Sequence, residues 1–109
     1  MENSPVEKAK AYQLSAAVEY VDKSIVSKQV IKSPAGNITL FAFDKDEGLS
    51  EHSAPFDAFV QVIDGSAEII IGGVKNLLQT GEFIIIPANT PHEVKAVKKF
   101  KMMLAMIKA

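Results

Sequence analysis

Short apolar segments bounded by turn-forming residues recur along most of this chain, and this spacing restricts the fold more than any other feature. Glycine, proline, asparagine and aspartate separate the segments at intervals of about 8 to 12 residues. No stretch keeps the period of about 3.6 residues that an amphipathic helix requires. The pattern therefore predicts an all-β fold, either a sandwich or a barrel.

The same pattern predicts individual strands and one hairpin. We expect strands over residues 24–31, 37–44, 59–63, 66–71, 74–78, 82–86, 92–97 and 100–107. Residues 37–44 are apolar on both faces, which is typical of an inner strand that is covered on both sides. Asp64-Gly65 separates two strands and predicts a type I′ hairpin turn, in which both central residues have positive φ angles. Residues 14–20 fit either a short helical turn or an extended segment.

The composition fits one small domain and excludes several classes of function. For 109 residues, 48% of them hydrophobic, we expect an N-terminal arm over residues 1–23 and a barrel over residues 24–109. The chain has no arginine, which excludes bidentate recognition of phosphate by a guanidinium group. It also has no cysteine, which excludes metal sites with thiolate ligands. The dispersed lysines argue against a nucleic-acid partner. A polar N-terminus and the lack of a long apolar segment argue against a membrane partner, and we expect a cytoplasmic protein.

Two stretches carry a family resemblance. Residues 48–65 resemble the first cupin motif, and residues 81–96 resemble the second. The second match is the more specific, because Gly81, Pro87 and His92 keep the spacing of the motif while Asn89 stands at a position that favours glycine. Asparagine adopts the left-handed backbone conformation more readily than most residues. The chain is thus similar to small single-domain cupins, and the resemblance implies a double-stranded β-helix, also called a jelly-roll barrel.

The resemblance also implies a metal site, of which this chain keeps only part. Cupins hold a divalent metal with two histidines and a glutamate of the first motif and one histidine of the second. His52 and His92 match the first and last of these ligands, whereas Ala54 and Ala58 replace the other two. Two imidazoles alone bind a divalent ion such as Zn, Fe, Mn or Ni weakly. Asp57 would complete the site only if a β-bulge just before it shifted the strand register.

These positions lead to a binding hypothesis and two enzymatic ones. Strand alternation predicts an apolar cup with two imidazoles, lined by His52, Ala54, Phe56, Ala58, Val60, His92 and Val94. Such a cup favours a small organic ligand of low polarity with one anionic or hydrogen-bonding end. One alternative is a metal-dependent oxygenase, decarboxylase or isomerase that uses both histidines with a displaced carboxylate. The other is a metal-free enzyme in which an imidazole acts as base and Tyr12 or Tyr20 as acid.

The outward-facing residues of the same strand predict self-association. Phe59, Gln61 and Ile63 alternate with the inward-facing positions. Together with the apolar strands at both ends of the motif region, they leave more hydrophobic surface than one small barrel covers. We therefore expect a homodimer.

Overall fold

The computed structural model describes residues 5–108, which are almost entirely antiparallel β-strands. One short 3-10 helix, Leu14–Ala16, precedes the strands in this range. The strands are β1 Ile25–Ser33, β2 Gly36–Phe43, β3 Gly48–His52, β4 Asp57–Asp64, β5 Ser66–Ile71, β6 Val74–Gln79, β7 Phe83–Ile86, β8 His92–Lys95 and β9 Phe100–Ile107. The predicted all-β class is confirmed. In residues 5–108 no helix is long and apolar enough to span a membrane.

The strands form two sheets that enclose a common core. The five-stranded sheet has the order β1-β2-β9-β4-β7, and the four-stranded sheet has the order β3-β8-β5-β6. Val60 of the larger sheet and Ile69 of the smaller one are buried in the same hydrophobic cluster. Phe43 and Phe100, which are paired between β2 and β9, stack with ring centroids 4.6 Å apart. These two rings fill the barrel at the end where β2 stops and β9 starts.

The predicted strands are present, but the Asp64-Gly65 hairpin is wrong. β4 and β5 belong to different sheets, so the chain crosses from one sheet to the other at Gly65. Of the two residues only Gly65 has a positive φ, 78°, whereas a type I′ turn needs two such residues. A Cβ at Gly65 would lie 2.6 Å from the Lys99 carbonyl oxygen, so the crossing depends on close backbone contact. Gly72 and Gly73, both with positive φ, instead form the tight turn between β5 and β6.

Among the elements in residues 5–108, strand β3 is the one that the sequence does not predict. Four of its five residues are exposed, so its side chains show no alternation between apolar and polar. Its register with β8 shifts between Leu49 and His52. A strand at the edge of a sheet that is interrupted by a bulge lacks the period-two pattern on which strand prediction depends.

The N-terminal segment covers part of the outer face of the five-stranded sheet. Ala17 and Val18 are buried against Leu40 and Ala42 of β2. This cover explains why β2 is apolar on both faces, as the sequence predicts for an inner strand. The boundary between an arm and a barrel near residue 23 stays a prediction, and residues 1–4 of the proposed arm lie outside the described residues.

Two lysines and a tyrosine form hydrogen bonds between this segment and the sheet. Lys101 Nζ donates a hydrogen bond to the Ser15 carbonyl oxygen at 2.6 Å, and Lys28 Nζ contacts the Ala17 carbonyl oxygen in the same way. Both lysines are buried, and a buried ammonium group needs such acceptors because it has lost its water. The Tyr20 hydroxyl donates to the Asp64 carboxylate.

This contact predicts a pH-dependent contribution of Tyr20 to stability. Burial, and then the hydrogen bond to Asp64, raise the pKa of the Tyr20 phenol well above its ordinary value of 10.0. The folded protein therefore keeps the phenol neutral at pH values where the unfolded chain ionises it. The contribution is complete below about pH 10 and is lost as the pH rises further. Between about pH 9 and pH 11.5, urea denaturation should show a smaller loss of unfolding free energy for Tyr20→Phe than for the wild type.

Tyr12→Phe is the matched control for this measurement. Tyr12 lies outside the contact with Asp64, and its hydroxyl oxygen accepts a hydrogen bond from the Glu7 backbone N–H instead. In this variant, the unfolding free energy should depend on pH as it does in the wild type. If the unfolding free energy decreases with pH equally in all three proteins, the role assigned to Tyr20 is contradicted.

Candidate ligand site at the histidine pair

The two predicted imidazoles lie side by side at one end of the barrel. His52 is the last residue of β3, His92 is the first residue of β8, and the two are direct partners in the ladder between these strands. Their ring centroids are 4.3 Å apart, with the ring planes at 59°. The ring of His92 is buried, whereas His52 is exposed at the rim. The structure thus brings together two residues that are far apart in the sequence.

Hydrogen bonds to the backbone define which ring nitrogen faces a ligand. Nδ1 of His52 lies 2.8 Å from the Ser50 carbonyl oxygen, and Nδ1 of His92 lies 3.0 Å from the Thr90 carbonyl oxygen. A carbonyl oxygen only accepts, so each Nδ1 carries the hydrogen. In the neutral ring, Nε2 then carries the lone pair and can accept a hydrogen bond or coordinate a metal. The orientation of the His52 ring is thus held by Ser50 of β3, and that of the His92 ring by Thr90 of the loop before β8.

The loops beside the two histidines are tied to each other. The Asn89 backbone N–H donates to the Ala54 carbonyl oxygen at 2.7 Å, which joins the connection between β7 and β8 to the connection between β3 and β4. Asn89 has a φ of 62°, so its predicted left-handed conformation is confirmed. This hydrogen bond fixes the edge of the mouth next to the histidine pair.

The remaining predicted site residues fall into two groups. Ala54 and Phe56 are partly exposed near the mouth, where a ligand can reach them from solvent. Ala58, Val60 and Val94 face inward as the alternation predicts, but they are only 5%, 1% and 3% exposed. They pack within the core, so a ligand would contact them only if the interior opened. A binding role for all five stays a prediction.

Asp57 does not complete a metal site. The ladder between β4 and β9 is regular from Asp57 to Val62, so the bulge that would turn this side chain inward is absent. Its Oδ1 instead accepts a hydrogen bond from the Ala88 backbone N–H at 2.9 Å. Within residues 5–108, no group of three or more histidine, cysteine, aspartate or glutamate side chains is placed to hold a metal ion. The donor set therefore does not fit a typical divalent metal site, which needs three or four protein ligands.

Neither tyrosine stands beside the histidines as a partner acid. Tyr20 packs on the outer face of the five-stranded sheet and is bonded to Asp64. Tyr12 lies in the N-terminal segment and is bonded to Glu7. The acid–base pair of histidine and tyrosine considered from the sequence is therefore wrong, because Tyr20 packs on the outer face of the sheet and the contacts of Tyr12 are with the N-terminal segment itself.

Sequence reasoning also missed a lysine near the mouth. Lys108 Nζ lies 5.7 Å from the centroid of the Phe56 ring. Extending the alternation of β9 by one residue beyond Ile107 would have indicated that Lys108 and Met106 share a face.

The fold and the motifs define this protein as a cupin. The Cupin domain model matches residues 39–108, so the chain belongs to this family. A conserved protein of unknown function from Streptococcus pyogenes is 32% identical to this chain and superposes on it with a TM-score of 0.91. The match covers 97% of this chain and 93% of the Streptococcus protein. A comparison with curated proteins gave no match.

Two further solved structures show how widely the fold is used. A cupin 2 conserved barrel domain protein from Leptotrichia buccalis is 38% identical with a TM-score of 0.86 over 89% of this chain. The match covers 47% of that protein, so this chain spans about half of its length. Salicylate 1,2-dioxygenase from Pseudoaminobacter salicylatoxidans is 12% identical to this chain, with a TM-score of 0.72. The match covers 85% of this chain and 27% of the dioxygenase chain. The second likeness shows a shared fold alone.

The methyl groups at positions 54 and 58 stand where the family has a histidine and a glutamate as metal ligands. Restoring these two side chains should therefore restore the binding of a divalent metal. The double variant Ala54→His/Ala58→Glu should bind zinc more than about tenfold more tightly than the wild type, a gain above about 1.4 kcal/mol in calorimetric titration. In the control Ala54→His/Gln61→Glu, the new carboxylate lies on the outer face of β4. Equal affinity of the two double variants would contradict the prediction.

Proposed function

We propose that this cupin works in the cytoplasm and binds a small, largely apolar organic molecule at the mouth of its barrel, with little or no metal. The observation that carries the proposal is the histidine pair, whose rings are in contact and whose Nδ1 atoms are both bound by backbone carbonyl groups. The Nε2 atoms are therefore available as hydrogen-bond acceptors. A ligand with a hydroxyl or amide donor on an apolar body matches this arrangement.

The surroundings of the pair support the apolar part of the proposal. Ala54, near the mouth, and Ala58, within the core, carry methyl groups where cupins with a complete metal site carry a histidine and a glutamate. The methyl groups remove both the negative charge and the lone pairs that would hold a cation. Phe56 adds an aromatic surface that is partly exposed. Apolar walls with a few fixed polar atoms are the usual composition of a small-molecule site.

A metal-dependent enzyme is the competing proposal, because the two Nε2 atoms are also metal donors. It requires a third ligand, and residues 5–108 place no acidic or cysteine side chain with the pair. Direct comparison of zinc with an organic probe therefore separates the two functions.

The sequence itself makes this comparison simple. The chain contains two histidines, so every imidazole signal in a nitrogen-15 correlation spectrum comes from the site. Addition of 4-methylphenol should move both Nε2 signals in a saturable manner. Its methyl ether, which lacks the donor, should bind roughly two- to tenfold more weakly, as expected for the net value of one hydrogen bond. Zinc chloride should give weak or no saturation.

Variants provide the controls for this titration. His52→Ala should weaken the binding of 4-methylphenol, while Gln61→Ala, on the outer face of β4, should leave the binding unchanged. Stoichiometric, tight zinc binding that is lost in His52→Ala and His92→Ala would reject this proposal in favour of the metal-dependent one. Unchanged histidine signals with every organic probe would also count against it.

We propose in addition that two copies of this chain associate through an outer patch formed by Phe59, Phe83, Ile85 and Ile107. Phe59 and Phe83 stack with centroids 4.7 Å apart, and Ile85 is the ladder partner of Phe59. The patch is uncovered in the isolated chain, since Phe83 and Ile107 are 58% and 65% exposed. A contiguous apolar patch on a sheet face is typical of a subunit interface.

Light scattering during size-exclusion chromatography tests this association. At micromolar concentration, the wild type should elute with twice the chain mass of 11.8 kDa. Ile85→Lys should elute as a monomer, because it places a charge within the patch. Leu77→Lys, at an even more exposed position of the smaller sheet, should remain a dimer. A monomeric wild type would reject the interface.

A further inference from the structure

The mouth of the barrel carries a cation that the proposed function does not use. Lys108 directly follows Ile107, the last residue of β9. Its backbone N–H donates to the Ala35 carbonyl oxygen at 2.7 Å, just before β2 begins. This bond continues the ladder between β2 and β9 by one residue, so the backbone at Lys108 is held in place beside the sheet.

Alternation along β9 places the Lys108 side chain on the inner face. Phe100 and Met102 lie in the core between the sheets, whereas Ile107 is 65% exposed on the outer face. Asp57 and Ile107 are ladder partners. The residue before Asp57 and the residue after Ile107 therefore form the next cross-strand pair, which explains why Lys108 Nζ lies 5.7 Å from the centroid of the Phe56 ring.

This pair belongs to the same mouth as the histidines. Phe56 lies in the connection between β3 and β4, which starts immediately after His52. That connection is bonded to the loop before His92 through the Asn89 N–H and the Ala54 carbonyl oxygen. The five-stranded sheet thus contributes an ammonium group to the rim, and the four-stranded sheet contributes two imidazoles.

Two acidic residues beside these elements, Asp57 and Glu93, face away from the mouth. Asp57 is exposed and accepts the Ala88 backbone N–H. Glu93 alternates with His92 and Val94, whose side chains point inward, and it is paired with Ile70 on the other face. A ligand that contacts Phe56 therefore meets the ammonium group of Lys108.

We propose that Lys108 binds the anionic group of the ligand, which is an organic monocarboxylate with an apolar body and a hydroxyl or amide donor. The inference rests on the proposed function, because the donor is the group that the imidazole Nε2 atoms accept. An ammonium group and a carboxylate form a charge-assisted hydrogen bond. Phe56 binds the apolar body between the two polar ends. Lys108 is thereby assigned as a specificity-determining residue.

Matched probes isolate this interaction. We would titrate 4-hydroxybenzoate and its neutral amide, 4-hydroxybenzamide, into the wild type and follow the two imidazole signals. The carboxylate should bind about tenfold more tightly than the amide at low salt, and the preference should decrease as salt is added. Lys108→Met keeps an unbranched side chain over Phe56 and should reduce the preference to about onefold without changing the affinity for the amide.

The control is Lys98→Met. Lys98 is an exposed lysine in the turn between β8 and β9, at the opposite end of the barrel, and this variant should keep the wild-type preference. If carboxylate and amide bind equally to the wild type, or if Lys108→Met keeps the preference, the assignment of Lys108 is overturned while the proposed function stands. If neither probe nor 4-methylphenol moves the histidine signals, the proposed function fails and this inference fails with it.

Discussion

The antiparallel ladder between β4 and β9 decides which side chains enter the barrel and which face outward. Its pairs are regular from Asp57–Ile107 to Val62–Met102. Successive side chains of a strand point to opposite faces, so a slip by one residue would exchange the inner and outer sets completely. The register of this ladder therefore fixes the direction of each side chain. The methyl group of Ala58 points into the barrel, the residues of the outer patch point away from it, and Lys108 lies at the rim.

The chemistry of the mouth follows from combining this ladder with the pairing of β3 and β8. The second ladder places His52 opposite His92, and backbone carbonyl groups hold both rings with Nε2 available. The first ladder supplies no third ligand to the pair, because Asp57 faces outward. Two imidazoles without a carboxylate are better suited to accept hydrogen bonds from an organic molecule than to hold a divalent ion.

Features that depend on neighbouring residues were predictable from the sequence. Strand β2 is apolar on both faces and is covered on both sides, and Asn89 adopts the left-handed conformation expected at a glycine position. The predictions that failed concern pairing. Asp64-Gly65 carries a strong hairpin signal, yet the close approach of Gly65 to Lys99 directs the chain into the other sheet. β3 was missed because an exposed, bulged edge strand has no pattern to detect.

By itself, the sequence determined where most strands lie, which faces are apolar, and that half of the family's metal ligands are missing. These properties arise from backbone preferences and alternation over a few residues. Only the tertiary structure decided that the chain changes sheets at Gly65, that the two imidazoles touch, and that Lys108 stands beside Phe56. Such contacts join strands that are distant in the chain, and their register is selected by how the whole core packs, which no local segment specifies.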